Sequence, residues 1–230
     1  MICIIGDLHA DLKKLLHIAE EVLRTDGHHY LLCCGDFGFF MDNDTECLSV
    51  LEQFDRITLL FIDGNHEAFP LLNTLAFSEW NGSKVSFLRK NVLHIKRGEV
   101  LSLEGKTIFC LGGAASPDRT QRLLLGLPWY AEELPTSDEI ANAWSNLARC
   151  NYQVDALVTH TAPNVVQRAL GYQPLPDEAF FAQTLDDILR QTTIRHGWYF
   201  GHFHEDKKLT VLGRTFTCCL NKYHQLQEDE

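Results

Sequence analysis

The stretch Ile57-Thr58-Leu59-Leu60-Phe61-Ile62-Asp63-Gly64-Asn65-His66-Glu67 runs from an apolar segment straight into a glycine backed by Asn, His and Glu. Alone it could be any strand-to-turn junction. Four other apolar runs end in the same way. Ile2-Cys3-Ile4-Ile5 leads into Gly6-Asp7-Leu8-His9, and Leu31-Leu32-Cys33-Cys34 into Gly35-Asp36. Ala156-Leu157-Val158 leads into Thr159-His160, and Trp198-Tyr199-Phe200 into Gly201-His202-Phe203-His204. Strand ends that repeatedly deliver Asp, His and Asn, with no thiolate among them, are the signature of a metal site spread over the whole chain.

Working outward from Gly64, the first third alternates apolar runs with helical stripes. Leu12, Leu15, Leu16, Ala19, Val22 and Leu23 recur at helical spacing, with Lys13, Lys14, His17, Glu20, Glu21 and Arg24 on the other face. Asp26-Gly27 ends that helix and a strand over Tyr30–Cys34 follows. Asp44 is read as the cap of a second helix carrying Cys47, Leu48, Leu51 and Phe54. The order β-α-β-α-β with short connections implies a parallel sheet with right-handed crossovers. Ligands collect at the carboxyl ends of such strands, where Asp7, His9, Asp36, Asn65 and His66 all fall.

Beyond Pro70, which opens a short helix, the pattern changes. From Val85 to Gly112, short apolar runs are broken by Gly-containing turns, which suits antiparallel hairpins. The turn Gly112-Gly113-Ala114-Ala115-Ser116-Pro117 lacks the Gly-Lys-Ser/Thr of a phosphate-binding loop. Asp118 to Leu134 shows little periodicity and reads as a long irregular segment, of the kind that often carries function. Thr136-Ser137-Asp138-Glu139 is a capping box opening a helix with Ile140, Ala143, Trp144 and Leu147 on one face. A further helix over Asp177–Arg190 should turn Phe180, Phe181, Leu185, Ile188 and Leu189 inward. Strands are expected near Lys208–Leu212 and Thr215–Leu220, with a polar tail fraying after His224. No repeat or linker divides the 230 residues, so a single domain over 1–230 is the expectation.

A formal net charge of −11 disfavours a broad footprint on nucleic acid or an anionic membrane. No apolar run approaches the roughly 20 residues of a membrane helix. The N-terminus shows no basic n-region or small-residue cleavage site, and the eight cysteines include no Cys-x-x-Cys. Reduced, buried thiols and a cytoplasmic location are therefore expected. No protein partner is evident.

The candidate ligands are Asp7, His9, Asp36, Asn65, His160, His202 and His204. One cation can be assigned to Asp7, His9, Asp36 and His204, and a second to Asp36, Asn65, His160 and His202. Asp36 is then the bridge, since a carboxylate has two oxygens. Mixed N/O ligation suits Mn²⁺ foremost, or Fe, Ni or Zn²⁺. Two cations about 3.5–4 Å apart clamp an in-line displacement at phosphorus and make hydroxide available near neutral pH. His66 is left over, free to act as general acid toward the leaving oxygen or to bind the phosphoryl group. Arg119 and Arg122, in the irregular segment, are candidates to reach the substrate phosphate.

In order, Asp-x-His, Gly-Asp, Gly-Asn-His-Glu, a lone His and Gly-His-x-His resemble the calcineurin-like dinuclear metallophosphoesterases, from Asp7 to His204. The resemblance implies a four-layer α/β/β/α sandwich with two mixed β-sheets, a phosphate mono- or diester as substrate, and His66 as the catalytic histidine. The segment from Gly112 to Glu133 further resembles small stand-alone bacterial and phage metallophosphatases. Three departures stand out. Ala10 replaces a usual Gly. Gly35-Asp36 continues as Phe37-Gly38 without the Asp-Arg-Gly of the serine/threonine protein phosphatases. Glu67 stands where Asp is usual. Two other readings compete: a catalytically idle scaffold of the same fold, against which no ligand is missing, and a nuclease, against which the acidic balance argues.

Overall fold

The computed structural model describes residues 1–40 and 49–226. The expected Asp44 cap and the helix positions Cys47 and Leu48 lie outside the described residues.

The strands are β1 (Ile2–Ile5), β2 (His29–Cys33), β3 (Ile57–Phe61), β4 (Ser78–Trp80), β5 (Ser83–Arg89), β6 (Val92–Ile95), β7 (Glu99–Leu103), β8 (Lys106–Leu111), β9 (Gln153–Thr159), β10 (Thr193–Phe200), β11 (Lys207–Val211), β12 (Arg214–Cys218) and β13 (His224–Gln225). They form two mixed sheets, a seven-stranded one in the order β13-β1-β2-β3-β6-β5-β4 and a six-stranded one in the order β11-β12-β10-β9-β8-β7. β1, β2, β3 and β6 run parallel, as do β8, β9, β10 and β12. The helices are α1 (Leu12–Val22), α2 (Phe69–Leu72), α3 (Arg119–Leu125), α4 (Ser137–Arg149), α5 (Asn164–Leu170) and α6 (Ala179–Gln191). Among the described residues no helix is long and apolar enough to cross a membrane.

Side-chain alternation builds the layers. Ile2 and Ile4 of β1, with Leu32, Leu60, Leu93 and Ile95, face Leu101, Ile108, Cys110, Ala156 and Val158 of the other sheet. Cys3 and Ile5, with Leu31, Cys33, Leu59 and Phe61, point the opposite way, onto Leu15, Ile18, Ala19 and Val22 of α1. The outer face of the second sheet, Phe109, Leu157, Trp198 and Phe200, packs under α4, α5 and α6. Strands covered on both faces must be apolar throughout, which is why they read as continuous runs. The result is the expected α/β/β/α sandwich.

Several expectations change. The Val85–Gly112 hairpins form, but they belong to different sheets: β5–β6 closes the first and β7–β8 opens the second. The segment after Asp118 holds α3, whose residues are all at least partly exposed, so no buried stripe marks it in the sequence. α5 has no counterpart in the sequence reading. In α6 the inward face is Phe181, Leu185, Ile188 and Leu189, while Phe180, one residue round the helix, is 71% exposed. Of the tail after His224, Gln225 and Leu226 are held: β13 pairs antiparallel with β1, and Leu226 is buried against the inter-sheet core, while residues 227–230 lie outside the described residues. Six of the seven described cysteines are buried, Cys150 partly so, and all seven are free.

A buried ion cluster secures the turn behind the Gly64 stretch. Arg97 Nε donates to Asp63 Oδ2 at 2.7 Å, and its Nη2 also bonds that oxygen. Nη2 further donates to the Glu132 carbonyl at 2.6 Å and Nη1 to Glu139 Oε2 at 3.2 Å. His94 Nε2 meets Asp63 Oδ1 at 3.1 Å. Burial would raise the Asp63 carboxyl, but Arg97 and His94 together more than offset this and hold it well below the usual range. Arg97→Ala strands a buried carboxylate, and the expected loss is about 3–5 kcal/mol of unfolding free energy. Urea denaturation measures it; a loss under about 1 kcal/mol, the worth of an exposed pair, would contradict the assignment.

Candidate metal centre

The carboxyl ends of β1, β2 and β3 meet the carboxyl ends of β9 and β10, and the polar residues of the five sequence blocks converge there. Asp7, His9, Asp36 and His204 each offer a ligand atom, all within 4.8 Å of one another. His9 Nε2 is 3.1 Å from His204 Nε2 and 3.5 Å from Asp36 Oδ2. On the other side of Asp36, Oδ1 is 3.3 Å from His160 Nε2. Asn65 Oδ1 lies 3.1 Å from His160 Nε2 and 2.9 Å from His202 Nδ1. Asp36 therefore has one oxygen toward each group of ligands.

The backbone bends sharply to achieve this. Asp7, His9, Asp36, His202 and His204 all have φ between 42° and 68°, the left-handed region. Such residues cost about 1–3 kcal/mol each and concentrate at functional sites. Two of the glycines that precede candidate ligands are required by close approach. A Cβ on Gly64 would sit 2.1 Å from Asp36 Oδ1, and one on Gly201 2.6 Å from Asp7 Oδ1.

Side chains outside the ligand set hold the turns. Lys14, read as part of a solvated helix face, instead donates from Nζ to the carbonyls of Gly6 at 3.0 Å and Asp7 at 2.9 Å. Glu67 is buried and accepts from the Phe37 N–H at 2.8 Å and from the Gly64 and Gly38 N–H groups at 3.3 Å. It ties the turn after β2 to the turn after β3. The His9 N–H donates to the Asp36 carbonyl at 2.7 Å, joining the turn after β1 as well. His160 Nδ1 donates to the Cys34 carbonyl at 2.7 Å, which orients Nε2 into the cluster. Asn65 Nδ2 donates to Ser116 Oγ at 3.2 Å, so its carbonyl oxygen faces the histidines.

Charge in the cluster fits divalent cations. Burial pushes His9 down to about 4 and His202 down to about 3, leaving neutral rings with lone pairs to offer. Burial pushes Asp7 up to about 6, and its Oδ2 is buried without a hydrogen-bond partner. Burial would lower His160 too, yet the Asp36 carboxylate reverses the effect and raises it to about 10. The proton on His160 thus balances local negative charge that a cation would neutralise in its place. An orphaned carboxylate oxygen, neutral imidazoles and hard oxygen donors suit divalent cations.

His66 stands beside this cluster rather than in it. Its N–H donates to Asp36 Oδ1 at 2.7 Å, while its ring meets Arg122 Nη2, 2.6 Å from Nδ1 and 3.3 Å from Nε2. An arginine only donates, so the ring nitrogen it meets must accept, and His66 is a neutral imidazole in this arrangement. Burial lowers its pKa, Asp36 opposes that, and the Arg122 charge adds to the lowering. Arg122 is itself held by Asp118, Nε to Oδ2 at 3.0 Å, and by the Pro128 carbonyl at 3.3 Å. Arg119 points elsewhere: it pairs with Asp177 and stacks over Trp129 at 4.0 Å.

The sequence profile of the calcineurin-like phosphoesterases matches residues 1–206. The chain belongs to the calcineurin-like phosphoesterase family. No curated protein matches it by sequence. Among solved structures it is similar to the phosphopantetheinyl hydrolase of Mycobacterium tuberculosis, with a TM-score of 0.51 and 16% identity over 95% of this chain and 89% of that one. It is also similar to a putative 5'-nucleotidase of Staphylococcus aureus solved with alpha-ketoglutarate, at a TM-score of 0.50 and 13% identity. That match covers 96% of this chain but 48% of the other, so the family member spans about half the nucleotidase's length. Identities this low speak to the shared fold. Within the family, metal-dependent cleavage of phosphate esters is the chemistry toward which the cluster points.

Proposed function

We propose that the chain is a single catalytic domain that hydrolyses a phosphate mono- or diester with two divalent cations. Asp7, His9, Asp36 and His204 would hold one cation and Asp36, Asn65, His160 and His202 the other. The observation that carries this reading is Asp36, with one oxygen toward His9 and the other toward His160. Bound there, the cations would neutralise charge on the phosphoryl oxygens and acidify a water near neutral pH.

The chain's own residues do the rest. Arg122 shifts from His66 to the phosphoryl oxygens of the bound ester, a planar donor pair matched to that anion. His66, relieved of Arg122, takes up a proton at the freed nitrogen and delivers it to the leaving oxygen. Asp36 keeps the His66 backbone in place through the 2.7 Å bond to its N–H.

The test is hydrolysis of p-nitrophenyl phosphate and bis-p-nitrophenyl phosphate by Mn²⁺-loaded protein. Turnover of either supports the reading, and the ratio sorts monoesterase from diesterase. No turnover together with no bound metal would discard it in favour of an idle scaffold.

A further inference from the structure

A groove of about 540 Å³ opens beside His9 and His66. Its other walls are Phe40, Pro70, Leu71, Pro128 and Tyr130, with Ala10, Gly38 and Ala68 between them. Among these described lining residues there is no Lys or Arg. The one carboxyl, Glu67, is buried and already accepts three backbone N–H groups, so it has nothing to offer a ligand. The aromatic walls are backed from behind: Phe40 stacks on Phe37 at 6.0 Å, and Tyr130 lies 5.8 Å from Phe69. The Arg122 guanidinium borders the groove only at its His66 end, where it meets the His66 ring and the Pro128 carbonyl.

We infer that this groove receives the organic half of the substrate, and that this half is an uncharged apolar group, alkyl or aryl. The inference rests on the hydrolase reading for the position of the phosphoryl group. His9 and His66 mark the reacting end of the groove, and among the described residues beyond them the walls are mostly apolar, with the Tyr130 ring at one side. A second phosphate, as in a nucleoside diphosphate, would find no Lys or Arg among the described lining residues, and the chain's net charge of −11 would repel it. The volume falls within the range of pockets that enclose small organic ligands. Removing apolar surface from water is the only large attraction the walls supply.

The experiment is phosphate release from methyl, butyl and hexyl phosphate and from glycerol phosphate, alongside calorimetric binding of methyl- and hexylphosphonate to the same Mn²⁺-loaded protein. The expected kcat/KM rises about twofold to fourfold per added methylene, and hexylphosphonate binds at least tenfold tighter than methylphosphonate. Glycerol phosphate falls with the short esters. Leu71→Gln, at a position already 37% exposed, should flatten the hexyl-to-methyl ratio in both measurements. Equal rates and equal affinities along the series, or a preference for glycerol phosphate, would overturn the groove assignment while leaving the hydrolase reading intact. Tighter binding of hexylphosphonate with no turnover of any of these esters or of bis-p-nitrophenyl phosphate would support the groove and overturn the hydrolase reading.

Discussion

Asp36→Asn should strip the centre of metal and of activity together. The carboxylate is buried and presents Oδ1 to His160 and Oδ2 to His9, so both proposed cations depend on it. An amide replaces one of those oxygens with an NH2 group, which offers hydrogens where a lone pair is needed. The expected result is at most one metal per chain by elemental analysis. Turnover should fall well beyond the ~10–100-fold that loss of a partner behind a ligand costs. Two bound metals with activity within tenfold of the parent would mean that Asp36 is not shared. A fold control is needed, because Asp36 also accepts the His66 N–H; an unchanged circular dichroism spectrum supplies it.

His66→Ala should behave in the opposite way, keeping both metals and losing turnover by ~10²–10⁴-fold, the usual worth of a positioned acid or base. The leaving group separates the two roles open to this ring. p-Nitrophenolate departs without a proton, whereas the alkoxide from an alkyl ester does not. A proton donor therefore matters little for p-nitrophenyl phosphate and greatly for butyl phosphate. An equal loss on both esters would point to phosphoryl binding by His66, and full activity on both would remove it from the mechanism.

The first half of the site was legible because of where its residues stand. A strand covered on both faces must be apolar throughout, so the polar residue that ends it is conspicuous. This made Asp7, Asp36 and Asn65 readable by number, and His160 and His202 in the same way. The four-layer architecture came from resemblance to a family, since nothing in one sequence says that β5–β6 and β7–β8 belong to different sheets. Lys14 and Glu67 were missed for a shared reason. Each bonds to backbone groups across a turn, and such pairings leave no periodic trace. Lys14 looks like any polar residue of an amphipathic helix until the Gly6 and Asp7 carbonyls are seen beneath it. The Arg122–His66 contact was equally hidden, because α3 buries no face and so carries no stripe. Arg119, three residues earlier, was indistinguishable from Arg122 by sequence but pairs with Asp177.

The division of the ligands between the two sheets has a consequence for biosynthesis. Asp7, His9, Asp36, Asn65 and His66 belong to the sheet completed by residue 95, apart from the β13 edge strand, whereas His160, His202 and His204 hang from the other. A ribosome delivers the carboxylate-rich half first, and a nascent chain holding only that half has acidic groups gathered at strand ends with few imidazoles to share a cation. The last candidate ligand to emerge is His204, and β13 closes against β1 only after that. Two separately expressed fragments divided at the crossover between Ile95 and Glu99 would each be inert, regaining chemistry only by docking sheet against sheet.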